Sequence, residues 1–267
     1  MMQPQPGHAL VTGASSGIGA AIAREYARRG VPLILTARRA DRLEALATEV
    51  GGKVAVTVLA ADLADPAVPA ALQAAILDRG LHVAHLVNNA GYGVPGRYLS
   101  VDWKTHADFL QVLVTSVCEL THRFLPAMEA AGHGRILNVA SLAGLVPASA
   151  GHTLYGAAKS FLIRFSESLA LEVADRGVRV CALCPGFTYT EFHDVNGMRD
   201  RMSKLPGWLW LDADTVARQG IDAVESGRTR LVTGGPNRAI VAVSKYFPEP
   251  IARALVARRS KEFRDAD

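Results

Sequence analysis

Short apolar runs alternate along the chain with longer stretches in which apolar residues recur every three or four positions, the pattern of strands between helices. His8 to Val11 reads as the first strand, followed by glycines and by a helix with Ile22, Ala23, Tyr26 and Ala27 on one face, ending at Gly30. Val31 to Ala37 is nearly all apolar, which predicts a strand buried on both faces. A helix over Asp41 to Val50, with Leu43, Leu46 and Ala47 inward, leads to a third strand at Val54 to Leu59. Pro66 to Arg79 reads as helix, Val83 to Val87 as strand, Asp102 to Ala131 as one long helical stretch and Arg135 to Ala140 as a fifth strand. Tyr155 to Ala174 is another long helix, Val178 to Leu183 a sixth strand, and Leu231 to Thr233 a seventh. Strands that alternate with helices and lack hairpin spacing predict right-handed crossovers and a parallel α/β sheet, doubly wound with helices on both faces. No linker, repeat or low-complexity segment divides residues 1–267, so a single domain is expected.

Composition narrows the field. The chain has 267 residues, 49% hydrophobic and 20% charged, which is globular composition and excludes disorder. Lys and Arg number 29 against 25 Asp and Glu, and a net charge of +4 over this length is too weak to imply a nucleic-acid partner. Three cysteines make no disulfide framework, which fits a reducing compartment. Met1 to Pro6 has neither a basic nor an apolar leader segment, and no apolar run approaches the ~18 residues of a membrane span. A soluble, cytoplasmic protein is the expectation.

The first chemistry-bearing segment is Thr12-Gly13-Ala14-Ser15-Ser16-Gly17-Ile18-Gly19, between the first strand and the first helix. Three glycines there permit a tight turn, a close backbone approach to a pyrophosphate, and close helix–strand packing. The helix start offers free N–H groups to the anion. The spacing is neither the commoner dinucleotide fingerprint nor a P-loop, since no Gly-Lys-Ser/Thr follows. Further on, Tyr155 and Lys159 stand four residues apart, on one face of a helix.

These segments resemble the short-chain dehydrogenase/reductase family. The Thr12–Gly19 loop is similar to that family's cofactor loop, and four further motifs follow in the family's order. They are Asn88-Asn89-Ala90-Gly91, Ser141, Tyr155-Gly156-Ala157-Ala158-Lys159 and Pro185-Gly186. The resemblance covers about residues 8 to 235. It implies a Rossmann-type sheet of strand order 3-2-1-4-5-6-7, hydride transfer between a nicotinamide dinucleotide and a carbonyl or secondary alcohol, and a homodimer or homotetramer.

The residue after the second strand bears on the cofactor. Leu35-Thr36-Ala37-Arg38-Arg39 carries no carboxylate, and a guanidinium at Arg38 can grip a 2′-phosphate through two bonds, which predicts NADP(H). The resemblance further implies cofactor contacts from Gly13, Ser15, Ser16, Gly17, Ile18, Gly19, Asp62, Leu63, Asn89, Ala90, Gly91, Pro185, Gly186, Thr188 and Thr190. Tyr155 is the expected proton donor and acceptor, its phenol lowered by the Lys159 ammonium and an oxidised nicotinamide. Lys159 would also bond the nicotinamide ribose, and Ser141 would hold the substrate oxygen. One position departs from the family. Its usual catalytic asparagine falls on Leu113, which has no amide to help hold a water near the lysine, with Thr115 and Ser116 as the alternative stand-ins. That departure supports an alternative, a catalytically weak cofactor-binding protein with a regulatory or redox-sensing role.

Residues 187–212 form the expected substrate lid, with Phe192, Met198, Met202, Leu205, Trp208, Leu209, Trp210 and Leu211 suggesting a hydrophobic substrate. Tyr92, Val94, Leu142, Val146, Pro147 and His152 are candidates for the pocket wall. The 239–267 tail reads as an amphipathic segment, basic through Arg253, Arg258, Arg259, Lys261 and Arg264, able to touch an anionic membrane surface, cover the pocket or meet another subunit. Cys181 and Cys184 lie on a strand, facing opposite ways, and read as buried thiols. No histidine pair has metal spacing, so no metal site is expected.

Overall fold

The computed structural model describes residues 7–148, 150–151, 153–190 and 207–246. Its strands are β1 (His8–Thr12), β2 (Leu33–Thr36), β3 (Val56–Val58), β4 (Val83–Asn88), β5 (Gly134–Val139), β6 (Val178–Cys184), β7 (Thr188–Tyr189), β8 (Leu211–Asp212) and β9 (Arg230–Val232). Seven of them form one parallel sheet of order β3-β2-β1-β4-β5-β6-β9, and β7 and β8 pair as a separate short ribbon. The expected seventh strand is therefore β9; the ribbon was not expected. The helices are α1 (Gly17–Arg28), α2 (Ala40–Val50), α3 (Val68–Leu77), α4 (Trp103–Leu110), α5 (Ser116–Ala130), α6 (Thr153–Glu172), α7 (Ala213–Glu225) and α8 (Gly235–Tyr246).

The strands are largely apolar because both faces of the sheet are covered. Side chains alternate. Ala9, Val11, Leu33, Leu35, Val87, Leu137, Val139, Cys181 and Leu183 face α1, α2 and α7. Leu10, Ile34, Leu86, Ile136 and Val180 face α3, α4, α5 and α6. Each wholly buried Leu or Ile contributes about 1.5–3 kcal/mol relative to exposure. This places the core in two layers and sends all seven strands' carboxyl ends to one rim.

The long helical stretch from Asp102 to Ala131 is continuous but not uniform. Asp102 caps α4, its carboxylate accepting from the Thr105 N–H at 2.9 Å. Between α4 and α5, Gln111–Thr115 winds as a π-helical turn. Such a turn carries a widened i→i+5 bond and is found frequently at functional sites. Of the expected lid, residues 191–206 lie outside the described residues, as do 247–267 of the tail; the described start of that tail belongs to α8.

Candidate active site

Every loop leaving the carboxyl rim from β1 to β6 reaches one cleft of about 1010 Å³. Its first wall is the glycine loop. Gly13 has φ +65, and a Cβ there would sit 2.8 Å from the Ala90 Cα, so only glycine lets the loop after β1 meet the loop after β4. The two loops are tied by Thr12, whose Oγ accepts from the N–H of Asn89 at 2.9 Å and of Ala90 at 3.0 Å. The Asn89 side chain donates back to the Thr12 carbonyl at 2.9 Å and the Gly13 carbonyl at 3.2 Å. Asn89 thus lines the cleft while spending its amide on the shape of the loop. The first turn of α1 carries no carboxylate, and Ser16 makes no side-chain cap, so the positive helix end is open toward the cleft.

Of the residues singled out from sequence, Ser15, Ser16, Gly17, Ile18, Asp62, Leu63, Ala90, Gly91, Pro185, Gly186, Thr188 and Thr190 line the cleft. Gly19 does not; it lies behind the loop, against the Gly13 carbonyl. Thr190 comes beside Gly17, at the glycine loop. At the corner after β2 the picture gains a residue. Arg38 is exposed and lines the cleft, and Arg39 lines it as well. Arg39 donates to the Ser15 hydroxyl at 3.1 Å and the Ser16 hydroxyl at 2.8 Å. Sequence reasoning took Arg38 alone. The adjacent Arg-Arg pair just before α2 was the available signal.

The reacting end is built by β5 and α6. Ser141 is extended, follows β5, and accepts from the Ala143 N–H at 3.1 Å within a 3-10 turn. That turn is pressed onto α6 at Gly144, where a Cβ would lie 2.7 Å from the backbone of Lys159 and Ser160. Ser160 donates to the Gly144 carbonyl at 2.7 Å. The contact brings Ser141 to Tyr155, and the two side chains hydrogen-bond. Gly144 and Phe187, which also lines the cleft, were not singled out from sequence. Lys159 is buried, donates to the Val139 carbonyl at 2.7 Å, and stands 5.7 Å from the centre of the Tyr155 ring.

Burial holds the Lys159 ammonium down to about 8, with the Cys184 thiol acting weakly the other way. Burial also pushes the Tyr155 phenol up, and its bond to Ser141 pulls it only part of the way back. In the chain by itself, loss of water around the phenolate outweighs that bond. Leu113 is buried in the π-helical turn with its side chain against Gly91. It offers no polar atom there. Tyr92, Leu142, Val146 and Pro147 line the cleft; Val94 does not, and His152 lies outside the described residues. Cys181 and Cys184 are buried, each pushed by burial up to about 12. Among the described residues no group of three His, Cys, Asp or Glu side chains could hold a metal, and no helix is long and apolar enough to cross a membrane.

An open helix end, a loop with no room for a side chain at Gly13, and cationic side chains at the far end make a donor set that fits a nicotinamide dinucleotide. Comparison with known proteins agrees. The family of short chain dehydrogenases matches residues 7–199. The chain is 38% identical over 218 residues to a sulfoacetaldehyde reductase of Chromohalobacter salexigens, covering 79% of this chain and 85% of that one. Among solved structures it is similar to a short-chain dehydrogenase from Sphingobium yanoikuyae in complex with NADPH, at 30% identity and TM-score 0.77, with 98% of each chain covered. It also resembles a 3-oxoacyl-[acyl-carrier protein] reductase from Brucella melitensis with bound NAD, at 26% identity and TM-score 0.75, covering 87% of this chain and 91% of that one. The chain belongs to the short-chain dehydrogenase/reductase family and is an NAD(P)-dependent oxidoreductase.

Proposed function

We propose that the protein is an NADP(H)-dependent reductase of uncharged, largely apolar ketones or aldehydes, with Tyr155 as proton donor. The observation that carries this reading is the placement of the Tyr155 phenol at the end of the dinucleotide cleft, hydrogen-bonded to Ser141 and with the Lys159 ammonium 5.7 Å from its ring centre. A phenol that keeps its proton at neutral pH is suited to give it to a developing alkoxide.

Gly13, Ser15, Ser16, Gly17 and Ile18 would hold the pyrophosphate, Arg38 and Arg39 the 2′-phosphate, and Asp62 the adenine. Asn89, Ala90 and Gly91 would line the adjoining ribose, and Pro185, Gly186, Thr188 and Thr190 the nicotinamide side. When bound, the cofactor supplies the hydride. Ser141 orients the carbonyl oxygen toward Tyr155, and Tyr155 donates its proton to that oxygen. Lys159 places a positive charge beneath the phenol and stabilises the phenolate left behind. Leu142, Val146, Pro147 and Phe187 exclude water around the carbonyl, and among the described residues this part of the wall carries no Lys or Arg besides Lys159. Such a wall favours an uncharged substrate and disfavours a sulfonate or carboxylate.

Leu113 is the one observation favouring a cofactor-binding protein with weak turnover. The readings separate in one experiment. Wild-type protein should oxidise NADPH with apolar ketones and aldehydes, and Tyr155→Phe should lose at least about a hundredfold in kcat while still binding NADPH. A wild type that binds NADPH yet reduces no compound of a broad carbonyl panel would favour the weak-turnover reading.

A further inference from the structure

Behind the cleft runs a buried polar chain with no place in the roles assigned so far. Asn88, the last residue of β4, pairs in register with Asn138 of β5. The Asn88 Nδ2 donates to the Asn138 Oδ1 at 2.8 Å and to the Thr121 hydroxyl of α5 at 3.3 Å. Asn138 in turn donates through Nδ2 to the Ser166 hydroxyl at 2.9 Å, and Ser166 donates to the Leu162 carbonyl one turn back in α6 at 2.7 Å. All four side chains are 3% exposed or less. Polar groups this deep in an apolar layer cost stability unless paired, so the chain enforces one arrangement of the elements that carry it.

That arrangement bears on Lys159. Asn138 directly precedes Val139, whose carbonyl receives the only hydrogen bond that the Lys159 ammonium makes among the described residues. Ser166 stands seven residues after Lys159, two turns along the same face of α6. A bond between Asn138 and Ser166 therefore fixes the height and rotation of α6 against β5 one position from the lysine's own anchor. Leu113, apolar and packed on Gly91, gives the ammonium no second anchor. We propose that Asn138 and Ser166 are positioning residues for Lys159, and that through them β5 takes over the holding of the ammonium beneath Tyr155. A shift of about 1 Å in a catalytic group can cost a hundredfold in rate, so a small loss of register has a large effect.

This rests on the proposed reductase activity, and the test has one readout that does not. Ser166→Ala removes the hydroxyl without adding bulk. The expected result is about a tenfold fall in kcat per folded molecule, with the pH profile of kcat displaced by about one unit and the preference for NADPH over NADH unchanged. The activity-free readout is the pH dependence of unfolding between pH 8 and 10.5. The difference between wild type and Lys159→Met in that range reports the buried ammonium, and Ser166→Ala should diminish it as the ammonium gains water. A Ser166→Ala protein that merely melts earlier, with wild-type kcat, pH profile and alkaline unfolding slope, overturns the proposal. A wild type without carbonyl reduction defeats the reductase reading alone, and the unfolding slope then decides the positioning role by itself.

Discussion

A tyrosine and a lysine one helical turn apart do unlike things with the same burial. Burial favours the neutral form of each, so it keeps the Tyr155 proton on and eases the Lys159 proton off. The cost appears in stability. Below about pH 8 Lys159 is charged in both states, and the fold bears the full expense of burying it. Between about 8 and 10.5 the unfolded chain binds the proton more tightly, so stability rises with pH across that window. Lys159→Met should therefore raise the melting temperature at pH 7, by a stability gain on the order of 1–3 kcal/mol that shrinks toward pH 10.5 while turnover is lost. At the cofactor end, Arg38→Ala and Arg39→Ala should each raise KM for NADPH about tenfold or more and leave KM for NADH nearly unchanged. A wild type that binds NADH more tightly than NADPH would defeat the 2′-phosphate assignment for both. Tyr155 and Lys159 were legible in the sequence because i,i+4 spacing puts them on one helix face and the family resemblance, with Ser141 and the glycine loop upstream, set them apart from an ordinary surface pair. Arg39 was passed over in favour of Arg38, since only the fold shows which guanidinium turns back onto Ser15 and Ser16.

Among the elements, the strands declared themselves because a run apolar on both faces has few other places to go. Where the sequence fell short, it lacked contrast. Asp102 to Ala131 reads as one helix because a π-helical turn needs no special residue; Gln111–Thr115 differs from its flanks in hydrogen bonding and not in composition. The β7–β8 ribbon is two residues on each side, too short for any period to show. The approach of the Ser141 turn to α6 was equally hidden, since Gly144 looks like any loop glycine until the helix backbone is seen against it. Gly144→Ala should cost stability by about 1–3 kcal/mol, the range for overpacking. It should also lower kcat more than it raises KM for NADPH, because it pushes Ser141 off Tyr155 and leaves the glycine loop alone. Thermal melting and steady-state kinetics on one preparation check both parts.

Across the whole molecule, titratable groups gather at the rim opposite the cleft. Arg135 donates to Glu225 at 2.8 Å, and His85 and Tyr26 lie beside them with ring centres 5.1 Å apart. Burial holds the His85 imidazole down to about 4, against a partial pull from Glu225 in the other direction. A lowered histidine is neutral in the fold and takes its proton only on unfolding, so between about pH 6.5 and 4 stability falls as pH falls. His133, edge-on to His85 and also lowered by burial, adds in the same sense. His85→Phe should keep stability at pH 7 within about 1.5 kcal/mol, as a swap of similar volume, and flatten part of that acid limb in denaturant titrations. The same substitution should leave KM and kcat at neutral pH unaltered.

Because all seven sheet strands run the same way, the chain has a working end and a holding end. Loops after β1 to β6 can be exchanged to suit another carbonyl compound without touching a residue that keeps the sheet together at acid pH. The reverse also holds. Durability at acid pH can therefore be tuned at the holding end while selectivity stays where it is, whereas at the working end Lys159 and Gly144 tie the two together.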